Sequence, residues 1–277
     1  NEGFELLVTL FEGDDRPPIF AVPPGGDAVS FVEIAKRFSG RTMVGVQAQG
    51  LDGRKPPLTT IEEMGARYVD EIVRFQSDGP YHFVTICGGG TVLLDVVARL
   101  QRMGKTVESF IVIDPTWIFP ENSYPDFKPG RTMVQTVRKL TGVVLSGEIF
   151  SKVADRVKLL VDRRRGHRRH MEEIDALDDA RRRVVDTYHD AAIEYGPKKV
   201  SGVLTAVVSR QWQEKVDFEA RIRRWEFLVE GGVDCQFIEA SHYSMSLGEH
   251  AGALAGLIEE LVDRNEARAR ENLGQDA

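Results

Sequence analysis

Cys87 sits near the end of residues 78–90, DGPYHFVTICGGG. The string reads as a turn, an apolar strand over Tyr81–Ile86, a cysteine, and three glycines opening a helix over residues 91–103. A cysteine on so sharp a strand-to-helix turn has the geometry of a nucleophile elbow, usually written G-x-S-x-G. Here the five residues are Thr85-Ile86-Cys87-Gly88-Gly89, so two positions differ. Glycines after the nucleophile let backbone N–H groups approach a developing oxyanion, and the positive helix end favours a thiolate over a thiol. A buried strand-end cysteine ahead of a Gly-rich turn would spell the same string. The rest of the chain has to decide.

A nucleophilic cysteine needs a base, and histidine has the pKa for that work. Of 6 histidines, His82 lies inside the elbow strand, His167 and His170 in a charged run, His189 on a helical stretch, and His250 at the start of the last helix. Only His242 follows a final strand in a turn of small residues, so it is the expected base. A third group must orient the imidazole. Asp114 ends the strand after the elbow and is fixed by Pro115; Asp217, beyond the following strand, is the competitor. Nucleophile, acid and base then run in the order found in α/β-hydrolases. The oxyanion donors are expected to be the N–H of Gly88 and that of Gly25 or Gly26. Cys235, inside the last strand, reads as an inert thiol turned toward a core.

The elements that must hold these residues alternate. Residues 4–11 (FELLVTLF) form an edge strand, closed by a polar turn over 12–18. The apolar run IFAV at 19–22 stops at Pro23-Pro24-Gly25-Gly26, which cannot continue a strand. A helix over 31–38, a strand over 41–46 and a helix over 61–76 follow, the last opened by Thr60 and Glu63 as a capping box. After the elbow and its helix comes SFIVI at 109–113. Unbroken apolar strands alternating with helices predict a mostly parallel sheet covered on both faces, with reactive groups at the carboxyl ends of the strands. This is the α/β core, residues 1–116.

Residues 117–196 break the pattern with a Pro-rich lead and helical stretches around 132–140, 147–161 and 171–193. A helical insertion of this kind predicts a lid. Its basic run RRRGHRRH at 163–170 is balanced by acidic neighbours and reads as a solvated face; contact with an acidic carrier protein is the functional alternative. The core resumes over 197–264 with strands at 203–208 and Val233–Ile238, then a helix over 247–263. The polar tail 265–277 is expected to fray.

The 277 residues carry a formal charge of -7, which argues against generic nucleic-acid binding. Two cysteines are too few for a disulfide scaffold and point to a reducing, cytoplasmic setting. No signal peptide and no membrane-spanning apolar run are evident. The opening Asn-Glu-Gly, without Met, reads as a domain cut from something longer. No metal-ligand cluster, Walker-type loop or dinucleotide fingerprint stands out.

Several of these pieces together are similar to a known family. IFAVPPGG at 19–26, VGVQAQGLDG at 44–53, TIEEMGARY at 60–68, the elbow at 79–90, IVID at 111–114 and residues 225–242 resemble the thioesterase domains that end nonribosomal peptide and polyketide assembly lines. The resemblance covers nearly the whole chain, in family order. It implies an α/β-hydrolase fold with a helical lid, a triad of Cys87, Asp114 and His242, and substrate or lid contacts at Pro24, Trp117 and Tyr243. It also implies no dissociable cofactor, because the acyl chain arrives on the phosphopantetheine arm of an acyl or peptidyl carrier protein upstream in the same polypeptide. The departures are Cys87 and Thr85 where the family usually has Ser and Gly, and Ala240-Ser241 where it usually carries Gly. Several departures at once point to a native variant. Two other functions fit the residues: a stand-alone cysteine hydrolase of the dienelactone-hydrolase kind, and a module that binds a carrier protein without catalysis.

Overall fold

The computed structural model describes residues 5–116, 179–215, 218–242 and 244–275. Within them a seven-stranded sheet runs β1-β3-β2-β4-β5-β6-β7. Its strands are β1 (Leu7–Phe11), β2 (Asp14–Val22), β3 (Arg41–Val46), β4 (Tyr81–Ile86), β5 (Val107–Ile113), β6 (Leu204–Ser209) and β7 (Val233–Ile238). The edge strand β1 is antiparallel to β3, and every other neighbouring pair is parallel. This is the mostly parallel sheet of the α/β-hydrolase fold.

Strand alternation sends successive side chains to opposite faces. Phe20, Val22, Tyr81, Phe83, Phe110 and Val112 enter one core, with α2 (Ile61–Phe75), α3 (Gly90–Arg102), α4 (Asp179–Glu194) and α6 (Phe218–Leu228). Ile19, Ala21, Val84, Ile86, Ile111 and Ile113 enter the other, with α1 (Val29–Ala35) and α7 (Gly248–Gln275). A short α5 (Arg210–Lys215) follows β6. All six residues of β4 are buried, as the central strand of such a sandwich must be.

Local signals explain most boundaries. Thr60 accepts from the Glu63 N–H while the Glu63 carboxylate accepts from the Thr60 N–H, completing the expected capping box, worth about 1 kcal/mol. Helix α1 starts at Val29, two residues before the expected 31, because the Asp27 side chain accepts from the Val29 N–H at 3.0 Å. Strand β2 begins at Asp14 instead of after the expected turn over 12–18. Asp14 pairs with Arg41, and a register slip before Ile19 accommodates Pro17 and Pro18, which cannot donate to a ladder.

The main correction is at the far end of the chain. Helix α7 does not stop at 263; it continues to Gln275, so the expected fraying from 265 onward does not describe residues 265–275. Buried Arg41 donates to Asp263 at 2.9 Å and to Glu266 at 2.7 Å. Glu266 also meets His82 at 3.0 Å, the other ring nitrogen of His82 lies 3.1 Å from Ser109 Oγ, and Asn265 donates to that hydroxyl at 3.3 Å. Every polar group in this buried chain has a partner, which is what makes its burial tolerable. His82 is thus a satisfied interior histidine. Burial pushes it below the usual imidazole range, to about 4, against the upward pull of Glu266.

Candidate active site

The elbow is strained and filled from below. Cys87 follows β4 with φ of 53°, a left-handed conformation that costs a non-glycine residue on the order of 1–2 kcal/mol. Thr85 Oγ1 donates to the Val22 carbonyl at 2.6 Å, tying the strand end to the neighbouring β2. Thr85 explains the next glycine but one. A Cβ at Gly89 would collide with Thr85 Oγ1 and stand 2.9 Å from the Val22 oxygen. A Cβ at Gly90 would meet the buried Trp225 ring at 2.9 Å, so α3 can approach only through glycine. The departure at Thr85 and the run of glycines are one packing solution.

Asp114 also has positive φ, 45°, at the end of β5, where its N–H donates to the Val207 carbonyl. Its side chain is fully buried. Oδ1 accepts the Ser209 N–H at 2.7 Å; Oδ2 accepts the Ser209 hydroxyl and faces His242 Nδ1, each at 2.8 Å. His242 stands in the turn after β7, a turn pinned by hydrogen bonds between Ser241 and Ser244. With Nδ1 engaged by Asp114, the remaining nitrogen serves the hydrogen bond that His242 makes to Cys87. The expected trio is therefore brought together. Asp217, the competing acid, lies outside the described residues.

These contacts set the protonation states. Burial pushes the Cys87 thiol up, but the His242 hydrogen bond and charge, the Thr116 hydroxyl and the Gly88 N–H outweigh it, and the thiol ends below its ordinary range. Burial pushes His242 down, but Asp114 and then Cys87 pull it up to about 10. The two neighbours thus shift in opposite directions, each favouring the charged form of the other. Cys235, only partly buried, goes the other way: burial raises its thiol, with Asp234 and Glu226 adding to the effect.

The expected oxyanion loop, a 3-10 turn over Pro24–Gly26, packs against the elbow turn Cys87–Gly89. Gly25 and Gly26 have φ of 65° and 82°, which favours glycine at both. The Gly26 carbonyl accepts from Ala48 N–H at 2.8 Å, while its own N–H makes only a long 3.4 Å contact to Pro23. The Gly88 N–H lies close enough to Cys87 to help lower its thiol. Pro24 begins the loop; Trp117 and Tyr243, expected beside the substrate, lie outside the described residues, as do residues 117–178, where most of the expected lid falls.

Helix α4, the described end of the expected lid, is fastened over both turns. Arg181 pairs with Asp27 at 3.1 Å, Val185 stands over Gly25, and the Tyr188 hydroxyl donates to the Gly88 carbonyl at 2.7 Å. Beyond the helix, the Tyr195 hydroxyl donates to Asp95 at 3.1 Å. Three neighbours escaped the sequence reading: Thr116, whose Oγ1 lies 3.0 Å from Cys87 Sγ, Ser209 and Tyr188. A hydroxyl at the end of β6, or two residues past Asp114, was a signal for the first two. Tyr188 had none.

A family described as Thioesterase domain matches residues 17–262. The chain belongs to that family. This thioesterase domain is 33% identical over 118 residues to malpibaldin synthetase of Mortierella alpina, a match covering 42% of the domain and 2% of the synthetase. Polyketide synthase PksR of Bacillus subtilis is 28% identical over 150 residues, 54% of the domain and 6% of PksR. The domain thus spans a small fraction of the curated relatives it matches. Among solved structures, the covalent complex of the NocB thioesterase domain with a fluorophosphonate nocardicin G analogue superposes with a TM-score of 0.65 at 18% identity, covering 93% of this domain and all of that chain. The type II thioesterase BorB gives 0.61 at 19% identity, covering 95% of this domain and all of that chain. These likenesses agree on the fold. Among the described residues, no helix is long and apolar enough to cross a membrane.

Proposed function

We propose that this thioesterase domain releases an acyl or peptidyl chain from a carrier protein through an acyl-S-Cys87 intermediate. One observation carries the reading. Cys87, on a strained elbow, contacts a histidine whose other nitrogen is held by the buried Asp114.

The thiolate attacks the thioester carbonyl carbon of the carrier-bound chain. The carbonyl oxygen takes up charge facing the N–H groups of Gly88 and of Gly25 or Gly26. On collapse the carbon–sulfur bond to the carrier arm breaks, and His242 delivers its proton to the leaving thiolate. A second nucleophile then enters: water, or a hydroxyl or amine of the chain or of another molecule. His242, now neutral, takes its proton, and Cys87 leaves as thiolate. Hydrolysis, cyclisation and transfer differ only in that nucleophile. No dissociable cofactor is required, because the carrier's phosphopantetheine arm presents the substrate. Relatives that are large synthetases support a carrier domain upstream in one polypeptide, and a free nucleophilic thiol suits the reducing cytoplasm.

Sulfur in place of oxygen has an energetic consequence. An oxoester is lower in energy than a thioester, so a serine enzyme loses part of the driving force on loading. A cysteine enzyme keeps it for release to a weak acceptor or into a strained ring.

Intact-mass spectrometry after brief exposure to acyl thioester mimics tests the proposal. The expected result is an acyl adduct on the wild type and none on Cys87→Ala. A folded wild type with neither adduct nor turnover would instead indicate a module that binds a carrier without catalysis.

A further inference from the structure

Around the Cys87 sulfur, groups from three different chain segments act on the thiol. The Gly88 N–H comes from the elbow itself, His242 from the turn after β7, and the Thr116 hydroxyl from the segment after β5. The first two belong to the chemistry already described. The third has no part in it, yet Thr116 Oγ1 is 3.0 Å from the sulfur, well inside the range for a hydrogen bond involving sulfur.

We propose that Thr116 is a further catalytic residue, a hydroxyl donor that holds the Cys87 thiolate before attack and lets go of it on acylation. The inference rests on Cys87 being the nucleophile and deepens that reading.

The direction of the hydrogen bond follows from the proton inventory. In the attacking form of the proposed mechanism the proton resides on His242, so the sulfur has none to give and the hydroxyl donates across the 3.0 Å contact. Among the described residues Thr116 has an alternative acceptor within reach, the Asp114 carbonyl oxygen at 3.3 Å. While the sulfur is anionic, the charge-assisted bond at the shorter distance wins. Once the sulfur carries an acyl group it is a poor acceptor, and the same hydroxyl turns to the Asp114 carbonyl. The hydroxyl thus has two rest positions, one for each state of the nucleophile. No bond to Thr116 is made or broken, and its proton stays with it throughout.

Stabilising a thiolate has a cost as well as a benefit, and the two have different pH signatures. A donor lowers the thiol pKa and so increases the thiolate fraction, but it also lowers the intrinsic nucleophilicity, with a Brønsted slope of about 0.4–0.5. Removing the donor therefore raises the midpoint and raises the plateau. A residue that merely holds the backbone in shape would lower the plateau and leave the midpoint alone. Among the described residues, the titratable groups facing Cys87 are His242, with Asp114 behind it, and Tyr188 beneath the elbow. All three are kept in the test.

The test is the pH profile of iodoacetamide alkylation at Cys87, read by peptide mass spectrometry so that Cys235 does not interfere, on the wild type, Thr116→Val and Thr116→Ser. Valine has nearly the shape of threonine without the hydroxyl; serine restores the donor. The expected result is a midpoint about one to two pH units higher in the valine variant, as loss of a hydrogen bond to a charged group implies. For a midpoint one pH unit higher, the plateau should rise about threefold. Serine should return both toward wild type. An unmoved midpoint in Thr116→Val would overturn the proposal, and so would a serine variant that behaves like valine. Alkylation does not depend on thioester turnover. If the wild type takes no acyl adduct, the nucleophile assignment fails by a different measurement.

Discussion

The Tyr188 hydroxyl donates to the carbonyl oxygen of Gly88 at 2.7 Å, so a helix 100 residues further along the chain is hydrogen-bonded to the residue after Cys87. That bond is buried, and its loss leaves a carbonyl without the partner it was desolvated for, at a cost of about 1–3 kcal/mol. Burial above all holds the Tyr188 phenol far above its ordinary range, so it is a donor at every accessible pH.

Tyr188→Phe keeps the ring and removes the bond. We expect it to lower kcat for a small acyl thioester about tenfold with little change in KM, because the Gly88 peptide loses its alignment. Outright loss of an oxyanion donor costs about 10²–10³-fold, so the effect should be smaller than that. Steady-state kinetics decide, and a change in KM alone would remove Tyr188 from the oxyanion turn.

The Cys87–His242 pair predicts a broad pH optimum for acylation. The thiolate forms as pH rises through the lowered Cys87 pKa, and the imidazolium that must protonate the leaving thiolate is lost as pH rises through about 10. Single-turnover acylation should therefore climb as pH rises through the lowered Cys87 pKa, below the ordinary thiol range, and fall only near pH 10. In Asp114→Asn the upper limb should move down, since the largest upward influence on His242 is gone. A profile that already falls near pH 7 in the wild type would mean that Asp114 and Cys87 do not raise His242.

Cys87→Ser tests why sulfur is there. The serine variant should still load acyl groups, more slowly, but should shift product from cyclised or transferred chain toward free acid. Chromatography of products from a carrier-mimic substrate bearing an internal nucleophile reads the ratio directly. An unchanged ratio would show that the acceptor, not the energy of the intermediate, sets the outcome.

The interior histidine makes a separate, acid-side prediction. His82 has a folded pKa of about 4 against 6.5 for the free side chain, so the unfolded chain binds the extra proton first as pH falls. Its contribution is complete above pH 6.5 and is lost between there and about pH 4, on the order of 3 kcal/mol in all. Glu266 adds a loss of the same sign below its free value of 4.5. His82→Asn should flatten the pH dependence of urea midpoints between 6.5 and about 4, whatever constant penalty it carries. An equally steep dependence in the variant would place the acid sensitivity elsewhere.

Much of this was legible residue by residue, and the exceptions share a cause. Strands Tyr81–Ile86 and Val233–Ile238 were read to the residue because turn residues bracket an uninterrupted strand pattern. That Cys87, Asp114 and His242 come together was readable because each follows a strand at the same carboxyl edge of the sheet. Strand β2 hid its first half because Asp14–Pro18 is spelled like a turn. Helix α7 hid its last turns because Arg264–Glu271 looks solvated, while the groups that bury Glu266 lie 225 and 184 residues away at Arg41 and His82. Thr116, Ser209 and Tyr188 meet their partners across 29, 95 and 100 residues. Periodicity carries no record of such pairings.

The proposed triad is unevenly distributed over the sheet. Cys87 ends the central, wholly buried β4, but His242 hangs from β7, an edge strand with one neighbour and five of its six residues incompletely buried. Local opening is easiest where backbone hydrogen bonds and apolar contacts are fewest. The imidazole is therefore the first part of the site to be lost on warming, while the thiol remains in an intact core. Inactivation should precede the loss of helical signal, and amide exchange should be fastest at β7. Heat would leave a folded protein whose cysteine is still in place and no longer has its base.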